Sequence, residues 1–272
     1  MKKILISGGT SYLGQMLINS FGAKFDVTAL TRNENNFSIV DKNLNFKIIK
    51  TDKQSIKKLR SKEFDVYINL ISSSKKIRNF KDLYESLNSN IFLNKKILKI
   101  LFKLNINNII QVNSYWQLLK RPGLKRMTIY FFGKTHITNF LERNKNKKFT
   151  NLNTIYVGDL YGKNDYRTKL IPMLLNDNNL EIKNINNLIF PNHIEEVISA
   201  LENIICKNNN SGNYYSFTEC MTVKDIASII KRLPNFSKEI SDKHLSNVLN
   251  LESINLINDN QKSFSHRISE IQ

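Results

Sequence analysis

Two cysteines in 272 residues, Cys206 and Cys220, are too few for a disulfide framework, and their separation matches no metal-ligand spacing. That scarcity suits a reducing compartment, and a cytoplasmic location is expected. Long apolar runs are also missing, and none reaches the length of a membrane-spanning helix. Lys2 and Lys3 precede only Ile4-Leu5-Ile6 before glycines interrupt, so no secretory leader is expected. Acidic residues are in deficit: 23 Asp and Glu against 41 Lys and Arg leave a formal charge of +18. The lysines are scattered, without a basic patch interleaved with aromatics, and no nucleic-acid partner is expected from them. The surplus reads as a lysine- and asparagine-rich composition or as a field that attracts anionic nucleotides. Lys95 to Leu104 has the pattern of a basic amphipathic helix packed on a sheet. The length and an apolar content of 41% suit one large domain, or a nucleotide domain with a small appendage.

Glycine is rare as well, yet three of nine glycines fall in the first fourteen residues, MKKILISGGTSYLG. Ile4-Leu5-Ile6 has the character of a buried parallel strand, and a helix-like stretch runs from the glycines to about Ser20. Strand, glycine turn and helix set backbone N–H groups and a positive helix end against a pyrophosphate. Gly8 allows the tight turn, and Gly14 lets the helix pack closely on the strand. Ser11 stands where the usual pattern has a third glycine; its Cβ crowds the phosphate approach, while its hydroxyl could donate to it. Gly8, Thr10, Ser11, Tyr12 and Leu13 are the candidate cofactor contacts of this turn.

Further strands are expected at 25–30, 46–50, 66–71, 109–112 and 154–157, with a long helix over about 82–104. The second strand ends at Thr31-Arg32, where an NAD-binding chain places an acid for the ribose hydroxyl. A guanidinium there suits the 2′-phosphate of NADP instead. Asp52, after the third strand, either accepts from the adenine amine or caps a helix over 55–61. The fourth strand closes in Leu70-Ile71-Ser72-Ser73-Ser74, small residues across which a cofactor could lie. Alternating strands and helices at this spacing predict an α/β fold: a doubly wound parallel Rossmann sheet with a small C-terminal substrate-binding region.

Ser114 follows the fifth strand, at the edge where open α/β sheets place ligands. Sixteen residues later stand Tyr130 and Lys134, four apart and so on one helical face. An ammonium near a phenol lowers its pKa toward the working range, so the tyrosine can exchange a proton with a carbinol or carbonyl oxygen. Ser114 would hold that oxygen.

With glycine turn, strand-end serine and Tyr-x-x-x-Lys in this order, the chain resembles the extended short-chain dehydrogenase/reductase family, the NAD-dependent epimerase/dehydratase group. The likeness runs from Lys2 to about Leu233. Val112-Asn113-Ser114-Tyr115-Trp116-Gln117 resembles the Thr-Gly-Thr-x-Trp-Gln form found in a branch with CDP-abequose and CDP-paratose synthase-like reductases. Asp159 to Leu170 and Asn192 to Val197 resemble two later family segments, with His193 expected to be structural.

The resemblance implies catalysis by Ser114, Tyr130 and Lys134, with Lys134 also holding the nicotinamide ribose. It implies cofactor contacts from Arg32, Asp52, Leu70, Ile71 and Ser72, and substrate contacts from Ser73, Tyr115, Trp116, Arg167 and Lys169. Residues 1–155 are expected to form the NADP-binding core, and 156–272 a region that completes the sheet and builds the substrate lobe. The first expectation is NADPH-dependent reduction of a nucleotide-linked 4-keto-6-deoxy sugar, feeding surface polysaccharides such as O-antigen, in a homodimer. The alternatives are an NDP-sugar 4-epimerase with bound NAD and a non-catalytic nucleotide- or RNA-binding member. An arginine expected before the Asn192 segment is missing, and Lys183, Arg167 or Lys169 would have to replace it. No metal site is expected.

Overall fold

The computed structural model describes residues 1–33, 36–41, 43–44, 46–52, 54–55, 59, 64–75, 77–104, 106–120, 128–176, 184–207, 211–231, 245–249, 251, 254–257 and 261–271. Its first half alternates strand and helix. β1 (Lys3–Ser7) leads to α1 (Tyr12–Phe21), then β2 (Asp26–Thr31), β3 (Lys47–Lys50) and β4 (Val66–Asn69). α2 (Phe80–Leu87), a π-helical turn (Asn88–Leu93) and α3 (Asn94–Leu101) follow one another directly and lead to β5 (Asn108–Ser114). A short 3₁₀ turn (Tyr115–Leu118), α4 (Ile129–Asn144) and β6 (Asn151–Val157) come next.

The second half is less regular. It holds β7 (Asp159–Tyr161), α5 (Leu170–Asn176), β8 (Leu188–Ile189), β9 (Pro191–His193), α6 (Ile194–Cys206) and β10 (Gly212–Tyr215). β11 (Met221–Thr222), α7 (Val223–Ile230), α8 (Leu245–Val248), β12 (Asn255–Leu256) and α9 (Phe264–Ile271) complete it.

Eight strands form one parallel sheet in the order β12-β10-β6-β5-β4-β1-β2-β3. The order reverses at β1, and helices cover both faces, as a doubly wound sheet requires. Strand alternation sorts the core. Ile4 and Ile6 join Leu17, Ile18 and Phe21 of α1 and Val197 and Leu201 of α6 on one face. Leu5 joins Ile97 and Leu101 of α3 and Ile137 and Leu141 of α4 on the other. Each fully buried side chain of this size contributes about 1.5–3 kcal/mol. The C-terminal region adds a cluster of its own, where Ile171, Leu174, Ile226, Phe264 and Ile268 pack together.

The long helix begins two residues earlier than expected, because the Asn79 side chain caps it by accepting from Asp82 N at 2.9 Å. α7 begins at Val223, where Thr222 and Asp225 form a capping box. Arg232 and Leu233 lie outside the described residues, as do most of 55–61. Among the described residues no helix is long and apolar enough to cross a membrane.

Candidate active site

The carboxyl ends of the central strands open into a cavity of about 530 Å³. Thr10, Ser11, Tyr12 and Leu13 form one wall, at the start of α1. Gly8 adopts a φ of +75°, which a side chain would strain. A Cβ at Gly14 would lie 2.5 Å from the Gly8 carbonyl oxygen and 2.7 Å from Gly9 Cα, so α1 reaches the turn only because Gly14 lacks one. Ser11 is the N-cap: its Oγ accepts from Gly14 N at 3.1 Å. Its hydroxyl therefore serves the helix whose phosphate-facing end its extra carbon crowds.

Ser114, Tyr130 and Lys134 border the same cavity. Ser114 ends β5 and caps the following 3₁₀ turn in a capping box with Gln117. Thr128 caps α4, which places Tyr130 in its first turn and Lys134 one turn on. Burial raises the Tyr130 pKa, a hydrogen bond with the Ser114 side chain opposes this, and Asp159 adds to the rise. Burial pushes the Lys134 ammonium down to about 7. Lys134 Nζ donates to the Val112 carbonyl at 2.6 Å. The four-residue spacing by itself predicts that the ammonium lowers the phenol pKa. Desolvation is the largest influence on each group instead: Lys134 is buried between α4 and β5, and Tyr130 is half-buried in the cavity wall.

Leu70, Ser72, Tyr115, Trp116, Arg167 and Lys169 also line the cavity. The Trp116 ring meets the Tyr130 ring edge-on at 5.9 Å. Tyr115 is largely committed to packing, its ring 4.4 Å from that of Phe190. Arg167 is fully engaged: Nε and Nη2 donate to Asp165 at 2.7 and 2.6 Å, Nη2 also reaches Leu160 O at 2.8 Å, and the guanidinium lies 4.5 Å from the Tyr12 ring. Lys169 is exposed at the rim.

Gly8, Arg32, Asp52, Ile71 and Ser73 do not line this cavity. Arg32 follows β2 and donates from Nη1 to Ser89 Oγ at 3.1 Å. Asp52 takes the capping alternative, accepting from Gln54 N, Ser55 N and Ser55 Oγ at 2.8–2.9 Å. These bonds hold its carboxyl below the usual range. Ser73 is clasped at its backbone: Ser73 N donates to Asn90 Oδ1 at 2.7 Å, and Asn90 Nδ2 returns to Ser73 O at 3.0 Å. His193 precedes α6, and burial lowers its pKa to about 4. Lys183 lies outside the described residues.

Sequence reading missed Asn90, Asp159 and Asp165. Asn90 and Asp165 act on residues brought to them by the fold or by a local loop. Asp159 lies in a segment singled out only by its resemblance.

The wall around the glycine turn fits a dinucleotide: Thr10 to Leu13 present the start of a helix that Gly14 lets pack tightly on the turn, beside a proton-bearing phenol. Residues 4–188 match the family described as NAD dependent epimerase/dehydratase. Over 256 residues the chain is 24% identical to CDP-abequose synthase of Salmonella muenchen, covering 88% of this chain and 83% of that protein. Its fold is similar to that of UDP-N-acetylglucosamine 4-epimerase from Methanobrevibacter ruminantium M1, solved with UDP-N-acetylmuramic acid (TM-score 0.75, 14% identity, 99% of this chain and 96% of that one). UDP-glucose 4-epimerase of Thermus thermophilus, solved with NAD, gives a TM-score of 0.70 at 12% identity, over 88% of this chain and 85% of that one.

Proposed function

The chain belongs to the NAD dependent epimerase/dehydratase family, and from that premise we propose that it reduces a nucleotide-linked 4-keto-6-deoxy sugar at C4, using NADPH. The observation that carries this reading is the meeting of Ser114, Tyr130 and Lys134 in one cavity with the glycine turn. When bound, the nicotinamide supplies the hydride. Ser114 donates a hydrogen bond to the C4 carbonyl oxygen. Tyr130 gives its proton to that oxygen as it becomes a hydroxyl, and its raised pKa keeps the proton in place beforehand. Lys134, in its charged form, steadies the resulting phenolate and holds the nicotinamide ribose. Thr10, Ser11, Tyr12 and Leu13, on the turn that Gly8 shapes, take the pyrophosphate end, with Leu70 and Ser72 beneath the cofactor. Trp116, Tyr115 and Lys169 face the sugar nucleotide, and Arg167 holds the loop that carries Lys169.

Elimination to a dehydrated product is disfavoured, since Tyr115 and Trp116 follow Ser114 where an acidic pair would be needed. Residues 1–155 serve as the cofactor core, and 156–272 complete the sheet and build the substrate lobe. Phe80, Tyr84, Phe92 and Phe132 leave aromatic surface exposed on α2, the π turn and α4, which supports a homodimer through these helices. The scarcity of cysteine supports action in the cytoplasm, and the product suits surface polysaccharide assembly.

A second reading, an NDP-sugar 4-epimerase with retained NAD, is favoured by the turn of Arg32 toward Ser89. Calorimetry of NADP(H) and NAD(H) binding separates the two. The reductase predicts preference for NADP(H), weakened in Arg32→Ala by about 10- to 100-fold, the worth of a charge-assisted hydrogen bond. It also predicts consumption of NADPH with a 4-keto-6-deoxy sugar nucleotide. NAD retained through purification, with indifference to Arg32, would establish the epimerase reading instead.

A further inference from the structure

Helix α4 meets β5 through three side-chain ties on one helical stripe. Residues 130, 134 and 138 are four apart and share a face. Tyr130 meets Ser114 in the cavity wall, where the serine side chain opposes the burial-driven rise of its pKa. Lys134 bonds the Val112 carbonyl at 2.6 Å. Thr138 is held by Asn113, whose Nδ2 donates to Thr138 Oγ1 at 2.9 Å. The first two ties belong to groups assigned to the chemistry. We propose that the third pair, Asn113 and Thr138, are positioning residues that set the register of α4 on β5, so that Tyr130 and Lys134 stand opposite Ser114. The proposal rests on the catalytic reading of those three residues.

Asn113 is 1% exposed. A carboxamide buried so deeply is costly unless it is fully bonded, and an apolar residue would pack there more cheaply. Its bonds have a direction. Asn69 Nδ2 donates to Gln111 Oε1 at 2.7 Å, Gln111 Nε2 to Asn113 Oδ1 at 3.0 Å, and Asn113 Nδ2 to Thr138 Oγ1. Thr138 Oγ1 then donates to the Lys134 carbonyl at 3.0 Å. The opposite donation, from Thr138 to Asn113 Oδ1, is longer at 3.3 Å. These donations run along the row toward the helical turn that carries Lys134, while Asn69 Nδ2 also donates to Asn94 Oδ1 at 3.0 Å and Gln111 Nε2 to Val112 O at 3.3 Å.

The row begins at the cofactor side. Ser7, Asn69 and Gln111 are register partners on β1, β4 and β5. Asn69 Oδ1 accepts from Ser7 Oγ at 3.0 Å and from Ile71 N at 3.2 Å, next to the strand ends that carry the glycine turn and Leu70 to Ser72. Apolar contacts between a helix and a sheet resist sliding weakly, whereas hydrogen bonds are directional. A displacement of about 1 Å at reacting groups can cost about 100-fold in rate. A polar row of this kind holds the two halves of the site at fixed distance.

The test compares Thr138→Val, an isostere without the hydroxyl, with Thr138→Ser, which keeps it, and with Asn113→Ala. Thr138→Val is expected to lower kcat about 10- to 100-fold while KM and NADPH affinity stay near wild type. Thr138→Ser is expected to restore kcat. The double variant Asn113→Ala with Thr138→Val should be no slower than the slower single one, because the two act as a unit. If Asn113→Ala does not fold, the Val and Ser pair decides alone. A folded Thr138→Val with wild-type kcat overturns the proposal, as does a loss that Ser fails to restore. If the wild type reduces no 4-keto-6-deoxy sugar nucleotide, the functional reading fails separately. Positioning is then read from the fluorescence spectrum of bound NADPH, which reports the nicotinamide pose without substrate. A spectrum altered in Val and restored in Ser supports the proposal; identical spectra, or no binding by the wild type, overturn it.

Discussion

The Tyr130 phenol and the Ser114 side chain border one cavity across the gap between α4 and the end of β5, where the serine opposes the rise that burial imposes on the phenol pKa. Neither residue could do this from sequence proximity, since β5 ends one at the sheet edge and α4 begins with the other. Tyr130→Phe keeps the ring and its edge-on contact with Trp116 while removing the proton. It is expected to lower kcat about 100- to 10,000-fold, the usual span for losing a general acid. Cofactor affinity should change little. Single-turnover reduction together with calorimetry checks both parts, and a Phe variant with wild-type kcat would require another proton donor.

Lys134 links pH to stability. Its folded pKa, near 7 through burial, lies below the unfolded value of about 10.4. Between those values the unfolded chain carries a proton that the folded chain has released. Stability therefore rises with pH across that window, by at most about 1.4 kcal/mol per pH unit for one proton. Below it the ammonium is buried at full cost. Lys134→Met should remove this slope, so that its stability relative to wild type is greatest in acid and falls as pH rises. Urea unfolding of both proteins below, within and above the window measures it, and parallel curves would contradict the assignment.

What the sequence made legible follows the range over which each signal acts. Apolar runs at 4–6, 27–30 and 66–70 announce strands because a parallel strand buried on both faces needs them. Gly8 and Gly14 announce the turn because a positive φ and a close backbone approach leave no other residue comfortable. Ser114, Tyr130 and Lys134 were legible through order and spacing. The ionisation of the pair was not, because it depends on how tightly α4 covers β5. Arg167 looked like a free cation for substrate phosphate, yet Asp165, two residues away, folds back to occupy its fork. Short edge strands such as β12 carry too few residues to announce themselves.

The fork between Arg167 and Asp165 separates a structural role from a substrate role. Asp165 is 6% exposed, so Arg167→Ala strands a buried carboxylate and should cost about 3–5 kcal/mol of stability. Arg167→Lys cannot reproduce two parallel bonds and should recover only part of it. Lys169, exposed at the cavity rim, should behave in the opposite way. Lys169→Ala is expected to leave stability within about 0.5 kcal/mol and to raise KM for the sugar nucleotide. Thermal unfolding alongside steady-state kinetics distinguishes them. A stable Arg167→Ala with raised KM would return that arginine to the substrate.

The glycine turn yields a pair of variants with opposite expectations. Gly14→Ala places a Cβ against the backbone at Gly8 and Gly9, and backbone cannot move aside as a side-chain tip can. Relief requires α1 to shift away from β1. The expected cost is about 1–3 kcal/mol, as for other overpacked sites, with cofactor affinity weakened as the helix end leaves the pyrophosphate. Ser11→Gly removes carbon from the phosphate approach and also removes the N-cap. Glycine is a tolerable N-cap, so the stability cost should be only a few tenths of a kcal/mol. Its cofactor affinity is expected to equal or exceed that of the wild type, because the Ser11 hydroxyl is occupied by Gly14 N. Calorimetry on the two variants decides between two roles for Ser11. Tight binding by Ser11→Gly identifies the serine as a helix cap that the cofactor tolerates. A clear loss would mean that the hydroxyl turns outward to the phosphate when the cofactor binds, and the departure from glycine would then be part of recognition.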